Sequence, residues 1–207
     1  MPTCWRPIPN ECRETPAGGE PALRPANQIC MSMGTAIDVG ERVVGLISDT
    51  HGLLRPEALD ALQGSDFIVH AGDIGDVAIL EQLSRIAPVT AVRGNNDRGA
   101  WAAALPDTAR LDVHARRILV IHDLSQLDHD ASLDGIDVVV SGHSHRPRSG
   151  QRGKILFINP GSAGPRRFRL PISIGRLSIV GDRIDATLVA LEVEPSIPPP
   201  QRRMRSA

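Results

Sequence analysis

Short apolar runs that alternate with helix-like segments, followed by paired alternating runs, predict an α/β domain whose two sheets pack face to face. The first half reads strand-helix-strand-helix-strand, the order of a parallel sheet with right-handed crossovers, and the last part reads as antiparallel strands. With 207 residues, 41% of them apolar, the chain can fill the core of one such domain.

Taken in order, residues 1–40 are rich in Pro, Gly and charge without an apolar period, which is the pattern of a disordered leader. Met31 and Met33 stand just before the first strand, and the natural start is expected there. VVGLIS, residues 43–48, reads as a buried strand; PEALDAL opens a helix with Pro56 in its first turn, where a missing N–H does no harm. DFIVHAGD is a second strand, VAILEQLSRI a second helix and PVTAVRGNND a third strand. RLDVHARRILVIHD reads as a hairpin around Ala115-Arg116, SQLDHDASLDG as a short helix or loop, and IDVVVSGHSH as another strand. KILFINPGS and LPISIGRLSIVGDRIDATLVALEV alternate like antiparallel strands with Gly181-Asp182 as a turn. The domain is therefore expected over residues 41–193, with residues 194–207 a disordered basic tail.

Composition excludes several partners. A net charge of -1 leaves no broad basic field, so an extended nucleic acid is not expected. The three cysteines, Cys4, Cys12 and Cys30, are odd in number and clustered before the domain, which argues against a disulfide framework and for a reducing compartment. The first residues contain no apolar signal core and no apolar run is long enough to span a bilayer, so a cytoplasmic protein without a membrane partner is expected.

The polar residues at the strand ends carry the chemistry. Four strands end abruptly in metal-binding types: Ser48-Asp49-Thr50-His51-Gly52, Gly72-Asp73, Gly94-Asn95-Asn96-Asp97 and Ser141-Gly142-His143-Ser144-His145; ILVIHD adds His122. Ligand sites in α/β sheets gather beyond the carboxyl ends of strands, so these residues are expected to converge. In extended chain, residues two apart point the same way, so Asp49 with His51, and His143 with His145, can each offer two ligands to one side. Glycines at 52, 72, 94 and 142 let the backbone turn where a larger residue would crowd the site. Asp49, His51, Asp73, Asn95, His122, His143 and His145 are too many donors for one tetrahedral ion and suit two, with Asp73 the natural bridge. Oxygen and imidazole donors without thiolate favour divalent metals such as Mn, Fe, Zn or Ni. His70 is expected in a structural role behind the ligands, His114 and His129 at the surface, Trp101 in packing, and Asp97 as a helix cap or in solvent.

With those residues in view, the order D-x-H, GD, GN-x-D, H, GH-x-H resembles the calcineurin-like metallophosphoesterase superfamily, and NPGS at Asn159 to Ser162 is most similar to its small bacterial and archaeal phosphodiesterase branch, to which the retromer subunit of the same fold is related. The likeness covers about Arg42 to Val193. It implies two facing mixed β-sheets flanked by helices, and a phosphodiesterase in which a hydroxide between two divalent ions, Mn2+ favoured, attacks phosphorus in line. It assigns Asp49, His51, Asp73 and His145 to one ion and Asp73, Asn95, His122 and His143 to the other, with Asp73, Asn95 and His122 as the catalytic residues. Asn96 and Arg166 are expected to contact a small phosphate ester, and Arg167 offers a second guanidinium. Many relatives carry His after the GN pair; an amide cannot be a general acid near neutral pH, so Asn96 predicts a preference for acidic leaving alcohols, or a proton supplied by metal-bound water or another side chain. Asp123 stands where relatives usually have Gly and is expected to orient His122 or to face solvent. A phosphomonoesterase and a non-catalytic interaction scaffold are the alternatives, and a homo-oligomer is left open.

Overall fold

The computed structural model describes residues 40–127, 133–167 and 169–193. The expected leader up to Gly40, the tail and His129 lie outside the described residues, Gly40 itself excepted. The first sheet contains β1 (Arg42–Ile47), β2 (Phe67–His70), β3 (Val89–Ala91), β9 (Ser173–Val180) and β10 (Arg183–Ala190), in the order β10-β9-β1-β2-β3. The second contains β4 (Thr108–Val113), β5 (Arg116–Ile121), β6 (Val138–Ser141), β7 (Arg148–Arg152) and β8 (Ile155–Asn159), in the order β4-β5-β6-β8-β7. Both are mixed. β1, β2 and β3 run parallel and β9 joins β1 antiparallel, while β5, β6 and β8 run parallel between antiparallel β4 and β7.

The period of two in each strand explains how the layers meet. Val44 and Leu46 of β1 and Val69 of β2 face the second sheet, where they pack with Ile118, Val120, Val138, Val140 and Ile158. Ile47 and Ile68, one residue out of phase, face the opposite way and meet Ala58 and Leu62 of α1 (Pro56–Leu62) and Ile79 and Leu83 of α2 (Val77–Ser84). Trp101 of α3 (Ala100–Ala103) packs on this same layer, as expected of it. The outer face of the second sheet carries Leu119, Ile121 and Val139, against Leu127 and Ile136 from the segment that contains a 3-10 turn at Leu124–Gln126. Helices thus cover the first sheet, and a shorter segment covers part of the second.

Three elements differ from expectation. β8, expected as an antiparallel strand, runs parallel to β6 and is antiparallel only to β7. The hairpin turns at His114-Ala115, one residue earlier than expected, because β5 already pairs at Arg116 with Val113 and His114 takes the left-handed φ of 53°. β7 was not anticipated. Its sequence RSGQR is polar and exposed throughout, so it has no alternation to read; it is a strand because its backbone pairs with β8 from Arg148–Asn159 to Arg152–Ile155. Among the described residues no helix is long and apolar enough to cross a membrane.

Candidate metal centre

β1, β2, β5 and β6 each stop at the same end of the sandwich, and the residues just beyond them are tied together by backbone. Asp49 N–H donates to the Gly72 carbonyl at 3.0 Å, Gly142 N–H to the His122 carbonyl at 3.0 Å and His51 N–H to the Asp73 carbonyl at 2.9 Å. The pairs Asp49/His51 and His143/His145 do converge, but not as extended chain. Asp49, His51, Asp73, His143 and His145 all adopt left-handed φ between 46° and 67°. Asp and His tolerate this region better than most residues, and non-glycine residues held there cluster at functional sites. Gly94 has another reason to be glycine: a Cβ there would collide with the backbone nitrogen of Asp73.

One group of donors gathers around Asp49. Its Oδ1 is 3.2 Å from His145 Nε2 and 3.9 Å from His51 Nε2, and the two Nε2 atoms are 3.3 Å apart. Asp49 Oδ2 is already satisfied by the Ser48 hydroxyl at 2.7 Å and the His143 N–H at 3.1 Å. Oδ1 is buried with no hydrogen-bond partner among the described residues. The 3.2 and 3.3 Å separations match the edge of a coordination polyhedron of about 2.1 Å radius, about 3.0 to 3.5 Å long, and the 3.9 Å one is somewhat longer. An orphaned carboxylate oxygen facing two imidazoles therefore fits a cation.

The second group gathers around Asn95. His122 Nε2 lies 3.0 Å and His143 Nδ1 3.1 Å from Asn95 Oδ1. His122 Nδ1 lies 2.7 Å from the Ala71 carbonyl and must donate to it, which turns the Nε2 lone pair inward. Asp73 Oδ2 stands 3.5 Å from His122 Nε2 and 3.7 Å from His51 Nε2, within reach of both groups. Burial pushes Asp73 up, but the adjacent His122 ring and the two hydrogen bonds from Asn96 overcome it and hold the carboxyl far below its usual range. Burial pulls His122 down, yet Asp73, the Ala71 carbonyl and Asp49 together outweigh it and the imidazole stands above its ordinary value. Burial wins at His51, which is lowered despite Asp73 and Asp49. A site that raises a buried histidine by its anionic neighbours is one that attracts positive charge. Asp49, His51 and His145 form one compact set of potential ligands, and Asp49, Asp73 and His122 another.

Residues 43–182 match the calcineurin-like phosphoesterase superfamily domain. The chain belongs to the calcineurin-like phosphoesterase superfamily. A probable metallophosphoesterase of Methanocaldococcus jannaschii is 37% identical over 167 residues, covering 74% of this chain and 83% of the relative. The phosphodiesterase YfcE of Escherichia coli is 32% identical over 154 residues, 63% of this chain and 84% of the relative. The solved structure of Vacuolar Protein Sorting 29 from Cryptosporidium parvum superposes with a TM-score of 0.64 at 21% identity, over 73% of this chain and 92% of that one, a likeness of fold.

Several residues of this phosphoesterase have roles that sequence reasoning missed. Asp97 neither caps a helix nor faces water: its carboxylate accepts from Gly75 N–H and Gly94 N–H, both at 2.8 Å, and so clasps the loops after β2 and β3. Asn159 donates to the Gly142 carbonyl at 2.6 Å and accepts from Gly161 N–H at 2.9 Å, while the Ser162 hydroxyl donates to the Asp49 carbonyl at 2.9 Å. NPGS is thus a brace beneath the donors; its position after a buried strand was the available signal. His70 is fully buried behind the centre, as expected, with Nε2 3.0 Å from the Thr50 hydroxyl. Asp123 does not orient His122: it caps the 3-10 turn by accepting from Ser125 N–H at 2.9 Å and lies 3.9 Å from His143 Nε2. Asn96 turns toward Asp73, donating from its backbone at 2.8 Å and its amide at 2.6 Å. Arg166 and Arg167 are exposed, and Arg167 is close enough to help lower His51.

Proposed function

We propose that this chain is a dinuclear-metal-dependent phosphodiesterase acting on small phosphate esters in the cytoplasm. The observation that carries the reading is the Asp73 carboxylate, whose Oδ2 lies between His51 Nε2 and His122 Nε2 at 3.7 and 3.5 Å. Asp49, His51, Asp73 and His145 would hold one ion, and Asp73, Asn95, His122 and His143 the other. Two divalent cations bound there supply the Lewis acidity that makes water a nucleophile near neutral pH for in-line attack on phosphorus. Mn2+ is the favoured ion for this set of carboxylate, amide and imidazole donors, with Ni2+, Fe2+, Zn2+ and Mg2+ its rivals.

The chain's own groups do the rest. The Ala71 carbonyl keeps His122 in one tautomer, and Asn96 holds both oxygens of Asp73 in place. Asn95 contributes an oxygen without charge, so the two carboxylates leave the centre attractive to an anionic ester. In this reading Arg166, exposed on the loop after NPGS, and Asn96, beside Asp73, contact the substrate. Neither Asn96 nor Arg166 supplies a proton to a leaving alkoxide, so good leaving groups are preferred. A diester has two arms, and two clefts adjoin the donors: one of about 420 Å³ beside His143 and one of about 260 Å³ beside Asn95 and His122. A monoester would need only one.

Metal-stripped protein resupplied with Mn2+, Ni2+, Mg2+ or Zn2+ tests the reading with bis(p-nitrophenyl) phosphate and p-nitrophenyl phosphate. Turnover of the diester above the monoester, restored by metal and abolished in Asp73→Asn, is expected. Monoester preference would move the assignment to a phosphomonoesterase. Folded protein inert with every metal would leave the fold as an interaction scaffold.

A further inference from the structure

The two clefts beside the donors are not alike in charge. The smaller is lined by Arg93, Asp107, Asp123 and Gln126, and Arg93 is already paired with Asp107 at 2.6 Å. The larger is lined by Arg146, Arg148 and Arg152 and carries one carboxylate, Asp123, at its rim beside His143. None of these three arginines has a carboxylate within ion-pair distance among the described residues. All three arginines are exposed, and a guanidinium offers five donors in a planar fork.

Register places two of them, Arg148 and Arg152, in a row. On β7, Arg148 pairs with Asn159, Gly150 with Phe157 and Arg152 with Ile155, so Arg148, Gly150 and Arg152 share one face with Phe157. A Cβ on Gly150 would meet nothing within 4 Å, which leaves the middle of the row open. The Arg152 guanidinium lies 4.8 Å from the centroid of the Phe157 ring, whose partner on β7 is Gly150, so it leans back along the row toward Arg148. Arg148 is the inner end, because its partner Asn159 is bonded to the Gly142 carbonyl next to His143. From Arg148 to Arg152 is about 13 Å along an extended strand, and a cavity of about 420 Å³ holds a group of nucleotide size.

We propose that this cleft is the subsite for the non-leaving arm of the substrate, and that this arm carries a second anionic group, a phosphate or a carboxylate, received by Arg148 and Arg152. The inference rests on the phosphodiesterase reading and names the substrate class for it: a diester with a further anion several bonds from the scissile phosphorus. The smaller cleft, with its acidic side chains, takes the uncharged leaving alcohol. Selectivity arises because an anionic arm gains charge-assisted, bidentate hydrogen bonds from guanidinium groups that have no carboxylate partner among the described residues, whereas a neutral arm does not.

Three diesters with the same p-nitrophenyl leaving group test it on the Mn2+-loaded protein: the ethyl, carboxypropyl and phosphopropyl esters of p-nitrophenyl phosphate. Either or both anionic arms should exceed the ethyl arm by about tenfold or more in kcat/KM, and the stronger of the two identifies the anion. In Arg152→Gln and Arg148→Gln that ratio should fall toward one, while Arg183→Gln, on β10, should leave it unchanged. Calorimetric binding of propane bisphosphonate against propylphosphonate gives the same comparison without turnover: the bisphosphonate should bind more tightly, and lose that advantage in Arg152→Gln. Equal rates for all three arms, or a preference that survives both substitutions in folded protein, would overturn the subsite and leave the phosphodiesterase standing. No hydrolysis of any of the three would remove the phosphodiesterase reading itself.

Discussion

His70 offers no ligand to the centre, yet it shapes the response of the fold to acid. The Thr50 hydroxyl donates to the Ile74 carbonyl at 2.9 Å, so in the 3.0 Å contact it is His70 Nε2 that donates. Nδ1 is then a buried lone pair without a partner among the described residues, and complete burial pulls the pKa from 6.5 down to about 3. Below pH 6.5 the unfolded chain takes up a proton that the native state refuses. The contribution of His70 is therefore complete above that pH and is lost as pH falls toward about 3, by at most about 1.4 kcal/mol per unit. Urea midpoints of the protein should fall more steeply between about pH 7.5 and about pH 5 than those of His70→Asn; parallel curves would show no such linkage. At Gly94, substitution by Ala should cost about 2 kcal/mol or more and abolish turnover, because the new Cβ meets Asp73 backbone that cannot yield without moving the donors. The leaving-group preference proposed above is tested at Asn96. Rates over a series of aryl and alkyl diesters should fall steeply as the leaving alcohol becomes less acidic, and Asn96→His should flatten that dependence. A flat series in the unmodified protein would mean that another group supplies the proton.

At the scale of elements, the loops beyond the strands hold their unusual conformation because side chains from other loops satisfy them. Asp97 is the clearest case: one carboxylate takes two backbone donors from loops after two different strands. Asp97→Ala would leave two N–H groups without their acceptor, at about 1 to 3 kcal/mol each where water cannot reach them. A lowered melting temperature together with weaker metal binding is expected, and Asp97→Asn should recover part of both. The elements themselves were legible where burial imposed a period. β1, β2 and β6 are apolar runs because sandwiched parallel strands are covered on both faces, and β9 and β10 alternate around their turn at Gly181-Asp182. β7 had no such signal, since an exposed edge strand owes its existence to a backbone ladder and any polar sequence can make one.

For the whole molecule, donors from two sheets meet at one end of the sandwich, so ion binding and folding are coupled. An ion bound by the native centre and not by the unfolded chain stabilises by about 2.7 kcal/mol at a hundred times its dissociation constant. Thermal melts of stripped protein should shift upward with Mn2+ in a concentration-dependent way, and the shift should shrink or vanish in Asp73→Asn. A melting temperature indifferent to every divalent ion would count against a tight site at these residues.

The sequence by itself determined the α/β class, the strands with buried faces and the family, because each is carried by a local period or a local cluster of residue types. It also determined which side chains stand at strand ends, from Asp49 to His145. Only the tertiary structure decided how they are aimed: the left-handed turns at Asp49, His51, Asp73, His143 and His145, the Asp97 clasp, the Asn96 bonds to Asp73 and the row of arginines on β7. The reason is that each of these depends on a partner distant in sequence, and a left-handed residue or an unpaired guanidinium leaves no period along the chain by which it can be recognised.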